Sequence, residues 1–219
     1  MVDKPSGERI RTITIAPVGL EGLLGLPPDA KGIVLFAHGS GSGRLSPRNN
    51  FVAQGLQDSG LATLLFDLLT VEEARDRRNV FDIELLAQRL LVATAWARGY
   101  VETGELPIGY FGASTGAAAA LVAEAAHEGR VAAIVSRGGR PDLAGRALSA
   151  VEAPTLAIVG SDDVAVLALN RAALAALRCA KELVIVPGAT HLFEEPGTLE
   201  AVVEHALGWF LTHFTDART

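Results

Sequence analysis

A serine flanked by glycines, Gly112-Ala113-Ser114-Thr115-Gly116, joins an apolar run to a segment that is bound to be helical. The run before it, Leu106-Pro107-Ile108-Gly109-Tyr110-Phe111, reads as a short buried strand. The segment after it, Ala117-Ala118-Ala119-Ala120-Leu121-Val122-Ala123-Glu124-Ala125-Ala126, is built from the strongest helix formers. A chain passing from strand to helix over so few residues must turn sharply. Side chains at the glycine positions would strike the neighbouring strand or helix. Such a turn lifts the Ser114 hydroxyl above the sheet edge. It also aims the first unpaired N–H groups of the helix at the same point.

The rest of the chain sets that turn in an alternating pattern. Ile10 to Ala16 alternates Ile and Thr as a half-exposed strand, and Gly19 to Gly25 supplies its hairpin partner before the Pro27-Pro28-Asp29-Ala30 turn. Gly32 to His38 is a continuous apolar run, as expected of a strand covered on both faces, and Leu61 to Phe66 is the next buried strand. Val131 to Ser136, Pro154 to Gly160 and Glu182 to Pro187 continue the series. Helices are predicted over Arg48 to Ser59, Asp76 to Gly99, Asn170 to Leu177 and Leu199 to Phe214. The implied class is α/β, a mostly parallel sheet with an antiparallel edge hairpin and helices on both faces. Arg137 to Glu152 is the sole spare stretch on the downstream side of Ser114, so no cap domain is expected and the site should be shallow.

At 219 residues the chain suits one domain, residues 1–219, with a well-buried core. A net charge of −6 with no basic stripe speaks against nucleic acid or an anionic membrane as partner. The single cysteine, Cys179, has neither a disulfide partner nor a ligand-spaced companion and reads as a packing residue; no metal site is expected. The first nine residues are polar and no run reaches membrane-spanning length, so a cytoplasmic location is the expectation.

Ligands of such sheets sit at the carboxyl ends of the strands. There the sequence places Ser114, then Ser161-Asp162-Asp163, then Gly188-Ala189-Thr190-His191. Serine, aspartate and histidine in that chain order, each just past a strand, form the pattern of a nucleophile, its orienting acid and its base. Ser114 needs a base to attack, and the imidazole of His191 can take up its proton. Either Asp162 or Asp163 could orient it. His127, His205 and His213 fall on helices or near the tail and are assigned to solvent or capping.

The loop His38-Gly39-Ser40-Gly41-Ser42-Gly43 is glycine-rich where backbone donors would meet a developing oxyanion; the donors are assigned as the N–H groups of Ser40 and Thr115. Without a Gly-Lys-Ser/Thr ending it is no Walker loop, and it fits the dinucleotide fingerprint poorly. His38, Gly39, Arg44 and Arg137 are candidate substrate-binding residues, with Arg48 and Arg140 nearby. An arginine past a strand end could grip a substrate carboxylate or brace the aspartate loop. Glu72 to Arg78 reads as the solvated start of a helix.

On these stretches, and on Phe36 to Ser42, Ser46 to Asn49, Leu65 to Thr70, Asn79 to Asp82 and Pro187 to Phe193, the chain resembles the short, lidless α/β-hydrolases grouped with dienelactone hydrolase. Some relatives resemble the hydrolase half of proteins fused to a phosphoribosyltransferase-like domain, for which no counterpart is expected in these residues. The resemblance implies a triad of Ser114, Asp163 and His191 and no cofactor. It also implies a departure, since dienelactone hydrolases use a cysteine nucleophile where this chain has serine. The expected activity is hydrolysis of small or short-acyl carboxylic esters, with thioesters and lactones as variants. A non-catalytic binding or scaffold protein on the same fold is the alternative.

Overall fold

The computed structural model describes residues 10–126 and 131–217. Eight strands form one sheet in the order β1-β2-β4-β3-β5-β6-β7-β8. β1 (Ile10–Ile15) and β2 (Leu20–Gly25) make the expected antiparallel hairpin, and β2 runs antiparallel to β4 (Ala62–Phe66). From there β3 (Ile33–Ala37), β5 (Ile108–Ala113), β6 (Ala133–Arg137), β7 (Thr155–Gly160) and β8 (Lys181–Val186) are all parallel to their neighbours. Every residue of β3 to β7 is buried, whereas edge strand β8 exposes Lys181 and Glu182, charges that discourage pairing with another chain.

The helices α1 (Pro47–Asp58), α2 (Val71–Ala74), α3 (Ile83–Gly99), α4 (Thr115–Ala126), α5 (Val164–Ala176) and α6 (Thr198–Asp216) cover the two faces. One face packs Leu35, Tyr110 and Ile134 with α3 and α4; the other packs Phe36, Phe111 and Val135 with α1 and α6. The long helix predicted from Asp76 starts only at Ile83. The Asp82 carboxylate accepts the Leu85 N–H at 3.0 Å and caps it there. Ahead of it, α2 is closed by a capping box between Thr70 and Glu73. Glu73 is also paired with Arg89, so this stretch is tied to α3 rather than merely solvated. Conversely α5 begins six residues before the predicted Asn170, because Val164 to Leu169 is apolar without the polar face that betrays a helix. Residues 141–150 form 3₁₀ turns broken at Gly145, and among the described residues there is no cap domain. His127 lies outside the described residues.

The turn between β5 and α4 depends on glycine. A Cβ on Gly112 would lie inside contact distance of Ala117 Cα, and one on Gly116 would overlap the carbonyl of Ala37 on β3. Both obstacles are backbone and cannot step aside. Gly116→Ala is therefore expected to destabilise the fold by about 3 kcal/mol, read as a lowered urea midpoint. A shift within error would mean that β3 and α4 separate freely.

Candidate active site

Ser114 sits at φ 51, a left-handed conformation that a non-glycine residue adopts only under constraint. Two bonds hold it there, with the N–H groups of Ala117 (3.1 Å) and Arg140 (2.9 Å) both donating to the Ser114 carbonyl. The loop after β3 comes against it so closely that a Cβ on Gly39 would lie 2.8 Å from Ser114 Cβ. Gly39 is thus a spacer that lets the loop reach the serine.

His191 follows β8, and its Nδ1 meets Asp163 Oδ2 at 2.6 Å. Asp163 occupies the N-cap position of α5 but makes no capping bond, because its carboxylate is turned to the imidazole instead. Asp162 points elsewhere, accepting the Ser161 hydroxyl at 2.8 Å in an exposed position. Of the two aspartates left open by residue order, it is Asp163 that the structure brings to the histidine.

The histidine loop is fastened at several points. Thr190 donates its N–H (3.1 Å) and hydroxyl (2.6 Å) to Glu195, Arg48 on α1 pairs with Glu194 at 2.8 Å, and fully buried Phe193 anchors the turn at φ 55. Two glycines admit it. A Cβ on Gly160 would overlap the Ala189 carbonyl, and one on Gly138 would lie 3.1 Å from the His191 carbonyl. The sequence flags neither position, since both depend on a loop arriving from elsewhere in the chain.

Ser114, His191, Gly39, Ser40, Arg48 and Arg137 line one pocket of about 210 Å³. Among the described residues Ser114 Oγ has no hydrogen-bond partner, so the serine and imidazole share this pocket without a bond between them. The assigned oxyanion donors need one correction. The Ser40 N–H is not open, because it donates to Thr115 Oγ1 at 3.0 Å and ties the loop to the first residue of α4.

The remaining candidates divide. Arg44 does not line the Ser114 pocket: its guanidinium is held by Asp67 and Glu21, and its N–H donates to Asp67 Oδ1 at 2.7 Å. Arg140 forms a two-pronged pair with Asp142, both bonds 2.8 Å. Arg137 is 7% exposed, donates from Nη2 to Asn49 Oδ1 at 3.1 Å and lies 5.8 Å over the Phe193 ring. Burial, with the charge of Arg48 behind it, pushes Arg137 down to about 10. Cys179 is half-buried beyond α5, where burial pushes its thiol up.

His38 is a brace. Its Nε2 accepts the Leu68 N–H at 3.0 Å, so the proton of the neutral ring is on Nδ1, facing the Gly39 carbonyl at 3.0 Å. Burial lowers its pKa, outweighing the opposing effects of the Gly39 carbonyl and Asp67. A histidine kept neutral in the fold gains its proton first in the unfolded chain. Stability is therefore intact above the ordinary histidine value of about 6.5 and falls as pH drops from there toward the lower folded value. The expected slope is at most about 1.4 kcal/mol per pH unit. Urea midpoints at pH 7 and pH 5.5 should diverge less in His38→Gln than in the unaltered protein; equal divergence would remove His38 as the cause.

A larger cavity of about 710 Å³ lies at the opposite, N-terminal ends of β5 and β6, and neither Ser114, Asp163 nor His191 lines it. Among the described residues no helix is long and apolar enough to cross a membrane, and no group of three His, Cys, Asp or Glu is placed to hold a metal ion.

No protein-family model matches the chain. Two Mycobacterium tuberculosis proteins that carry the provisional name phosphoribosyl transferase are 56% identical over 211 residues, 96% of this chain and 48% of theirs. The chain thus spans about half the length of these curated relatives. Among solved structures, a dienelactone hydrolase from Anabaena variabilis is 53% identical with a TM-score of 0.89, covering 94% of this chain and 99% of that one. A lidless α/β serine hydrolase from Xanthomonas campestris has the same fold at 20% identity and a TM-score of 0.74, covering 96% and 97% of the two chains. At 53% identity to a structure of which it covers 99%, the chain is an α/β-hydrolase and belongs to the dienelactone hydrolase family.

Proposed function

We propose that this protein is a serine hydrolase that cleaves small or short-acyl carboxylic esters through an acyl-serine intermediate. The observation that carries the reading is the Asp163–His191 bond beside a serine held in a left-handed turn. With Nδ1 engaged by Asp163, Nε2 is the nitrogen left to serve the serine, which lines the same pocket.

Ser114 Oγ attacks the ester carbonyl carbon as its proton passes to His191 Nε2, and Asp163 stabilises the imidazolium that forms. The carbonyl oxygen, now negative, takes the Thr115 N–H at the start of α4. It gains the Ser40 N–H by displacing the Thr115 hydroxyl from it. The intermediate collapses with cleavage of the bond between the acyl carbon and the leaving oxygen, which collects the proton from His191. Water then repeats the sequence on the acyl-serine, releasing the acid and restoring Ser114. No step calls on a metal or an organic cofactor. The transferase name of the longer relatives belongs to those proteins, and nothing in the Ser114 pocket favours it here.

The test is labelling by a fluorophosphonate together with release of p-nitrophenol from the acetate and butyrate esters. Absence of both would transfer the assignment to a scaffold that kept the fold.

A further inference from the structure

We propose that the site takes esters that join an apolar acyl group to an anionic alcohol or thiol part, the acyl group lodging beside Leu69, Val80 and Leu86 and the anion against Arg137 and Arg48. The inference rests on the serine-hydrolase reading and names its substrate class.

The direction of the substrate follows from the proton transfer. His191 must protonate the leaving oxygen, so the leaving part lies on the His191 side of Ser114 and the acyl part on the other. The two sides differ in chemistry. Across the loop from Gly39 to Ser42, and sharing Gly39, Ser40 and Ser42 with the Ser114 pocket, is a second chamber of about 370 Å³. Its walls include Leu69, Val71, Ala74, Val80 and Leu86, a lining suited to hydrocarbon and large enough for a small ligand.

On the His191 side the walls carry cations. Arg137 is nearly buried, its Nε has no hydrogen-bond partner, and its one side-chain bond goes to neutral Asn49, itself buried. Among the described residues no carboxylate pairs with it. A buried guanidinium left without a counter-ion is unfavourable, and the nearby carboxylates are committed, Asp163 to His191 and Glu194 to Arg48 at the rim. Arg48 lines the same pocket; Glu194 answers its charge through Nη1 alone, and the rest of its fork is left to meet an entering anion. A planar fork of this kind is matched by a carboxylate or a phosphate entering with the substrate.

The experiment compares hexanoyl esters of 4-hydroxybenzoate, of 4-hydroxyphenyl phosphate and of methyl 4-hydroxybenzoate, corrected for leaving-group pKa. At least one anionic ester should exceed the neutral one in kcat/KM by about tenfold, and the better of the two tells carboxylate from phosphate. In Arg137→Gln that ratio should fall to about one, and in Arg48→Gln, at a more exposed site, by about threefold. Leu86→Trp should lower the preference for hexanoyl over acetyl esters by about tenfold. Calorimetric binding of 4-hydroxybenzoate and of 4-hydroxyphenyl phosphate to Ser114→Ala protein, weakened by the added Arg137→Gln, reads the anion site without turnover. Binding of this kind in a protein that hydrolyses no ester would keep the anion site and remove the hydrolase reading. A protein that hydrolyses all three esters with no anionic preference, or a preference indifferent to both arginines, overturns the proposal, as does absence of both binding and preference. An unchanged acyl preference in Leu86→Trp overturns its acyl half.

Discussion

Ser114→Ala is expected to lower kcat for p-nitrophenyl butyrate by about 10⁵- to 10⁶-fold while leaving the fold intact. The loss is large because the serine and histidine act as a unit, and an imidazole with no nucleophile to deprotonate contributes little. The same position yields a second, opposite expectation for stability. Ser114 is held at φ 51 by the bonds from Ala117 and Arg140 to its carbonyl, in a backbone conformation that disfavours any side chain with a Cβ. Ser114→Gly should then be as inactive as the alanine variant yet more stable than the unaltered protein by about 1 kcal/mol, partly offset by the greater freedom of glycine in the unfolded chain. A dead but stabilised protein is the signature of strain kept for function. The paired measurement is the burst of p-nitrophenol and the urea midpoint. If Ser114→Ala keeps more than about 1% of the activity, hydrolysis occurs at another group.

The elbow was legible in the sequence because its requirement is steric and local. Gly112, Gly116 and Ser114 lie within five residues, and the strand and helix around them leave few other conformations. Strand positions were legible for a related reason, since β3 to β7 are covered on both faces and so read as mainly apolar runs. Charges were harder to read. Arg44 looks like a substrate ligand until Glu21 and Asp67, from β2 and from just past β4, are seen to hold it. The sequence places Arg137 past a strand end but is silent on its burial and its want of a carboxylate, which depend on how α1 and the His191 loop close around it. The Ser40 N–H was legible as a donor but not as an engaged one, because the acceptor is the side chain of a residue assigned for its backbone. What a residue touches across the molecule is the information that a linear pattern lacks.

The pair Asp162 and Asp163 turns that gap into a measurement. Asp163→Asn is expected to lower kcat by about 10⁴-fold, and Asp162→Asn by less than about twofold. The substitution at 163 is nearly isosteric, so the loss comes from the hydrogen-bond inventory. A carboxylate only accepts, which keeps the proton of the neutral imidazole on Nδ1 and leaves Nε2 free to take the serine proton. An amide can present its NH₂ group to Nδ1, favouring the tautomer with the proton on Nε2, where it blocks that transfer. The imidazolium formed during attack would also lose its counter-ion. Stability should hardly change, because Asp163 makes no capping bond to α5 that asparagine would forfeit. At 162 only the exposed bond from the Ser161 hydroxyl is at stake. Equal losses at the two positions would mean that the loop, and not one carboxylate, supports the histidine. A large loss at 162 alone would require the loop to turn over when substrate binds.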